Sequence, residues 1–204
     1  MDQTLIISAF FTLFVVIDPI GLAPMFIALT KGMDDAARRA VAIRAVGIAA
    51  AILTLFALFG EAVLGFMGIS MPAFRIAGGV LLFLTALDML FERRTKRRQG
   101  QARAENDPSV FPLATPLIAG PGAMATMILL TGKAAGDWVV IAEMLAVMAV
   151  VLATVLAAFF VGARLERLLG ETGINVVTRL LGMLLAALAV QFVLDGLSEM
   201  IRTL

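Results

Sequence analysis

Residues 14–30 read FVVIDPIGLAPMFIALT. An aspartate, two prolines and a glycine interrupt an otherwise apolar run. Proline lacks the N–H that an interior helix position uses, and it pushes the residue before it out of the α region. Asp-Pro is also a helix start, with Asp18 at the N-cap and Pro19 at the first helical position. The stretch therefore predicts one helix ending before Asp18 and another starting after it. From Thr4 to Asp18 is 14 residues, or about 21 Å of helix, so the break lies deep in the run.

The rest of the chain says what that run crosses. Its 204 residues are 61% hydrophobic and 15% charged, with a mean hydropathy of +1.02. A soluble domain of this size has no way to hide so much apolar surface. Most charges gather in short segments between apolar runs of 20 residues or more, long enough to cross the ~30 Å hydrocarbon layer. The chain reads as an all-α polytopic membrane protein with six spans, at about 4–29, 40–66, 72–91, 110–131, 138–161 and 176–201. The short connections MGISM and TGKAAGD require antiparallel neighbours. The N-terminus, MDQTLIISAFF, lacks a basic n-region, so no cleaved signal peptide is expected.

Several chemistries are absent. Without cysteine there is no disulfide framework and no thiolate metal site. Without histidine the usual general base and the commonest metal ligand are missing. No serine elbow, no nucleotide-binding loop and no matched aspartate pair occurs, so neither an enzyme nor a bound cofactor or metal is expected. A nucleic-acid partner is not expected either.

Lysine and arginine set the orientation. Loops one, three and five hold Lys31, Arg38, Arg39, Arg93, Arg94, Lys96, Arg97, Arg98, Arg103, Arg164 and Arg167, against Lys133 and Arg202 on the other side. By the positive-inside rule the basic loops are cytoplasmic and both termini lie outside. Trp138 then falls at the outer interface, where its amphipathic ring is favoured.

The two halves resemble each other. At an offset of 101, Ile17, Gly21, Leu29 and Thr30 meet Ile118, Gly122, Leu130 and Thr131. Further on, GISMPAFRIAG resembles GINVVTRLLG with one gap, pairing Arg75 and Gly78 with Arg179 and Gly182. Three spans per half make the repeat inverted, as in many secondary transporters. The expected organisation is one membrane domain: residues 1–91, a basic cytoplasmic loop at 92–109, and residues 110–204.

The repeat places a second break, IAGPGAM, opposite the first, with Gly120 as cap and Pro121 at the helix start. Two half-helix N-termini then point at each other near mid-depth, each offering unpaired N–H groups and a partial positive charge. Such backbone is tolerated in a membrane only when buried in protein or lining a wet cavity. The expected substrate-binding set is Asp18, Pro19, Gly21, Gly120, Pro121 and Gly122. The aspartate end suits an ammonium group or a coupling cation, and the bare glycine end suits a carboxylate. Small Ala119, Gly120, Gly122 and Ala123 leave room for a small solute only. A second reading keeps Asp18 as a helix cap alone, and proline and glycine as ordinary kinks.

Other charges have simpler readings. Arg75 and Arg179 either snorkel from their span ends or serve helix packing and pairing with carboxylates. Glu61, Glu143 and Asp195 lie toward the outer ends of their spans, and Asp88 and Arg44 toward the cytoplasmic ends, where solvated side chains are expected. The cluster Arg93–Arg98 attracts anionic headgroups by charge alone. Gly78 is expected at a helix contact.

FVVIDPIGLAPMFIALT, FRIAGGVLLFLTALDML, FPLATPLIAGPGAM and RLLGMLLAALAVQFVLDG together resemble the MarC/SnatA family of bacterial inner-membrane proteins over essentially the whole chain. The resemblance implies a plan similar to the LysE-type exporters and, from some members, transport of small neutral amino acids. It thus implies a secondary transporter in the bacterial inner membrane, with a small-molecule solute and a coupling proton or sodium ion as partners in the lipid bilayer. A homo-oligomer, a carrier of a lipid-linked intermediate and a non-transporting membrane protein stay open at this stage.

Overall fold

The computed structural model describes residues 3–91, 107–132 and 137–202. The basic segment at 92–106 and Lys133, which enter the orientation and the domain boundaries, lie outside the described residues. The helical elements are α1 (Gln3–Ile17), α2 (Pro19–Leu29), α3 (Asp35–Phe66), α4 (Met71–Leu90), α5 (Ser109–Ile118), α6 (Pro121–Gly132) and α7 (Trp138–Arg202). No strand occurs among the described residues. Gly170 takes positive φ (65°) and divides α7 into two limbs, Trp138–Gly162 and Thr172–Arg202. Five spans are long and apolar enough to cross a membrane: α1–α2, α3, α4 and the two limbs of α7. The bent pair α5–α6 makes the sixth. The protein is an all-α, multi-pass membrane protein.

Local chemistry explains the ends. Asp34 caps α3 by accepting the Ala37 amide (2.7 Å), and Ser70 caps α4 by accepting the Ala73 amide (3.4 Å), with Pro72 in its first turn. Asp137 accepts the Val139 amide at the start of α7 (2.9 Å). The third span, read as 72–91, is Met71–Leu90; the second and sixth, read as 40–66 and 176–201, start earlier, at Asp35 and Thr172, and the other bounds agree within one residue.

The first half of the fourth span departs from the regular half-helix expected. Prolines 112 and 116 each remove a ladder donor, and the residues before them, Phe111 and Thr115, are extended (φ −129° and −130°). Both X–Pro bonds are cis. Wide turns replace the ladder: the Leu113 amide donates to Pro108 O (3.2 Å) and the Ala119 amide to Ala114 O (2.8 Å). Arg44 of α3, exposed as expected, pairs with Asp107 (2.6 Å) just before α5. The Ser109 hydroxyl and amide donate to the same carboxylate and, with Arg44, hold it below the usual carboxylate range.

Irregular backbone at this depth survives because protein surrounds it. Of the residues of α6, Gly122, Ala123 and everything from Ala125 to Thr131 are buried. Against it lies a small-residue stripe on α3, with Ala42, Ala45, Ala49, Ala57 and Gly60 buried. Small side chains let helix backbones approach where lipid gives no hydrophobic drive for association. A β-carbon on Gly60 would collide with Ile128 of α6, and one on Gly162 would lie 3.3 Å from Ile27 of α2. Phe26 of α2 stacks on Phe159 of the first α7 limb (4.3 Å between centroids). α4 also packs closely on the second α7 limb, where β-carbons on Gly79 and Gly196 would meet the carbonyls of Ala189 (2.7 Å) and Pro72 (2.9 Å). Gly78, the expected contact residue, faces only side chains of α6 (Leu129 at 3.3 Å and Ala125 at 3.5 Å). Outward positions are apolar too, among them Phe11, Phe59, Leu84 and Leu184, as lipid contact requires.

Candidate functional site

The first break is tighter than a simple helix end. Asp18 has left-handed backbone (φ 55°, ψ 67°), a conformation that aspartate and asparagine tolerate better than most residues. The ladder closes on both sides of it: the Asp18 amide donates to Phe14 O (2.9 Å) and the Leu22 amide to Asp18 O (3.0 Å). α1 and α2 therefore continue as one span, Gln3–Leu29. The carboxylate, 1% exposed, caps α2 by accepting the Gly21 amide at 3.0 Å.

That cap explains Gly21. A β-carbon there would overlap Oδ2 of Asp18 and stand 3.1 Å from Oγ1 of Thr178, on the second limb of α7. The carboxylate and the hydroxyl thus converge on the space beside Gly21. The Thr178 hydroxyl is buried and has no hydrogen-bond partner, although a buried polar group normally has one. Nothing in the sequence marked Thr178 except its position next to Arg179.

The second break is open. α5 and α6 are bent by 53° at Ala119–Gly120. A β-carbon on Gly120 would lie 2.5 Å from Pro116 O, so only glycine fits. The Met124 amide returns to Gly120 O (3.0 Å). Helix geometry leaves the amides of Gly122 and Ala123 without intrahelical acceptors, and Gly120 has no side chain to cap them.

A cleft of about 210 Å³ reaches this bare helix start, with Gly120, Pro121, Gly122, Thr85 and Asp88 in its walls. The volume is below the ~300–1,000 Å³ of pockets for drug-sized ligands, so it admits a small solute. Thr85 stands 3.5 Å from a β-carbon placed on Gly122, and Asp88 lies one α4 turn farther, about 4.5 Å along the axis. Asp88, two residues before the end of α4 as expected, is half-buried in this wall. Its spacing from Thr85 (i, i+3) is visible in the sequence, but not the helix that faces it.

The six expected residues therefore form two loci. Gly120, Pro121 and Gly122 wall the cleft together with Val16, whereas Asp18, Pro19 and Gly21 are not in its lining. The Asp18 carboxylate folds back onto its own helix, where it accepts the Gly21 amide. Arg75 pairs with Glu199 at the far end of α7 (2.5 Å), away from both loci, while its repeat partner Arg179 is exposed. Glu61 and Asp195 are exposed as expected, but Glu143 is half-buried, with Oε2 shielded and without a hydrogen-bond partner. No group of three or more acidic side chains able to hold a metal occurs among the described residues.

Residues 3–201 match the model of the MarC family integral membrane proteins. The chain is 41% identical to the UPF0056 membrane protein MJ1677 of Methanocaldococcus jannaschii, over 97% of this chain and 98% of that one. It is 35% identical to the inner membrane protein YhgN of Escherichia coli (94% and 95% covered) and to YvbG of Bacillus subtilis (100% and 99%). No solved structure matches it.

Proposed function

The chain belongs to the MarC family of integral membrane proteins, and from that premise and the geometry of the cleft we propose a secondary transporter of small zwitterionic solutes, of which small neutral amino acids are the simplest. The observation that carries this reading is the pairing, within one small cleft, of an uncapped helix start with a carboxylate. The α-carboxylate of the solute accepts from the Gly122 and Ala123 amides, and Asp88 receives its ammonium group. Asp18 and Thr178 lie apart from the solute, and their converging oxygens suit the coupling proton or sodium ion.

Two pairs of equivalent features support the inverted repeat on which alternating access would rest. At the offset of 101, Thr30 donates to Phe26 O (2.8 Å) and Thr131 to Met127 O (2.9 Å). At nearly the same offset, Gly60 packs on Ile128 as Gly162 packs on Ile27. The relatives' inner-membrane location and the basic loops favour a plasma-membrane protein with both termini outside. Single cysteines at Lys31 and Met67, both exposed at opposite ends of α3, check the orientation. An impermeant thiol reagent should reach Met67→Cys from outside and Lys31→Cys only after permeabilisation. The reverse pattern would invert the assignment.

The deciding experiment is uptake of labelled glycine, alanine and serine into proteoliposomes under imposed proton or sodium gradients. Uptake by wild type should weaken roughly tenfold to a hundredfold in apparent affinity in Asp88→Asn, the loss of one charge-assisted hydrogen bond. No uptake of any zwitterion by a well-folded wild type, under either gradient, would remove the proposal.

A further inference from the structure

A second cleft, of about 250 Å³, lies at the corner where α2 gives way to α3. Ile27 of α2, Asp35, Arg38 and Arg39 at the start of α3, and Phe159 and Phe160 on the first limb of α7 form its walls. It shares no lining residue with the cleft at Gly120–Gly122. Arg38 is half-buried; its Nε is shielded from solvent and has no hydrogen-bond partner. The Arg39 guanidinium lies 5.8 Å above the Phe160 ring. Neither Arg38 nor Arg39 takes part in the ion pairs Arg44–Asp107 and Arg75–Glu199.

A shielded guanidinium nitrogen without an acceptor is costly, and the cost disappears when an anion enters. From these groups we propose that the corner binds the phosphodiester of a membrane phospholipid. Charge selects the anion. Two arginines and Asp35 sum to one positive charge, which a monoanionic phosphodiester balances, whereas a dianionic phosphate would be pressed against Asp35. Position selects the source. α2, α3 and the first α7 limb all end here, so the cleft lies at the level of the headgroups. Ile27, Phe159 and Phe160 supply an apolar wall that suits the glycerol and the first methylenes of the acyl chains. This lipid would hold the α2–α3 corner against α7 beside the Phe26–Phe159 stack.

Binding of phosphatidylglycerol to the purified full chain, counted by native mass spectrometry, tests the proposal. Arg38→Gln is compared with Lys31→Gln, which removes the same charge from an exposed site outside the cleft. Arg38→Gln should bind the lipid roughly tenfold or more weakly, and Lys31→Gln as wild type does. Diacylglycerol, which lacks the phosphate, should not bind at this site, and inorganic phosphate should not displace the lipid. Equal binding by the two variants, an equal loss in both, or displacement by inorganic phosphate would overturn the proposal. If Arg38→Gln does not fold, Arg39→Gln takes its place with the same expected loss.

Discussion

Gly79→Val should reduce the yield of folded protein far more than Gly78→Val, although the two glycines are neighbours in sequence and on one helix. A β-carbon on Gly79 would stand 2.7 Å from Ala189 O and 3.1 Å from Val193 N, both backbone atoms of the second α7 limb. A backbone inside a packed helix cannot rotate aside, so α4 and α7 must separate along their whole contact. Even Gly79→Ala should cost about 1–3 kcal/mol, the usual range for overpacking, and valine more. At Gly78 the nearest atoms are a leucine methyl and an alanine β-carbon, which yield by small shifts. Thermal unfolding in detergent and the monodisperse fraction after extraction measure the difference. Equal midpoints for Gly79→Ala and Gly78→Ala would mean that α4 and α7 do not approach as closely as their glycines indicate.

The same pair shows where sequence reasoning stops. Adjacent helix positions differ by about 100° around the axis, so a repeat that pairs Gly78 with Gly182 does not say which of two glycines faces the partner. Features written in local chemistry were legible. Asp-Pro and Gly-Pro located both breaks, caps located the span starts, and hydropathy located the spans. The irregular α5 was also written there, since prolines 112 and 116 lie inside it and each removes a ladder donor. Three features depended on packing instead: the left-handed turn at Asp18, the orphan hydroxyl of Thr178, and the approach of Asp88 to α6. Each joins residues far apart in the chain or depends on a backbone state that proline alone does not specify.

Asp18→Asn should insert and fold as wild type does, yet lose gradient-driven accumulation of solute. Asparagine tolerates the left-handed turn, and its side-chain oxygen still accepts the Gly21 amide, so backbone and cap persist while the charge goes. Asp18→Ala should lose the charge and also about 1–2 kcal/mol for the left-handed backbone, with about 1 kcal/mol more for the cap. Folding and coupling thus separate between the two variants. Thr178→Val gives an independent sign. If Asp18 is only a cap, valine replaces a buried hydroxyl that bonds to nothing, and the protein should be as stable as wild type or more so. If a proton or sodium ion uses both groups, the same substitution should weaken coupling while solute exchange without a gradient continues. Counterflow in proteoliposomes reads exchange, and uptake under an imposed gradient reads coupling. Full gradient-driven uptake in both Asp18→Asn and Thr178→Val would leave the first break as architecture, with the ion bound elsewhere.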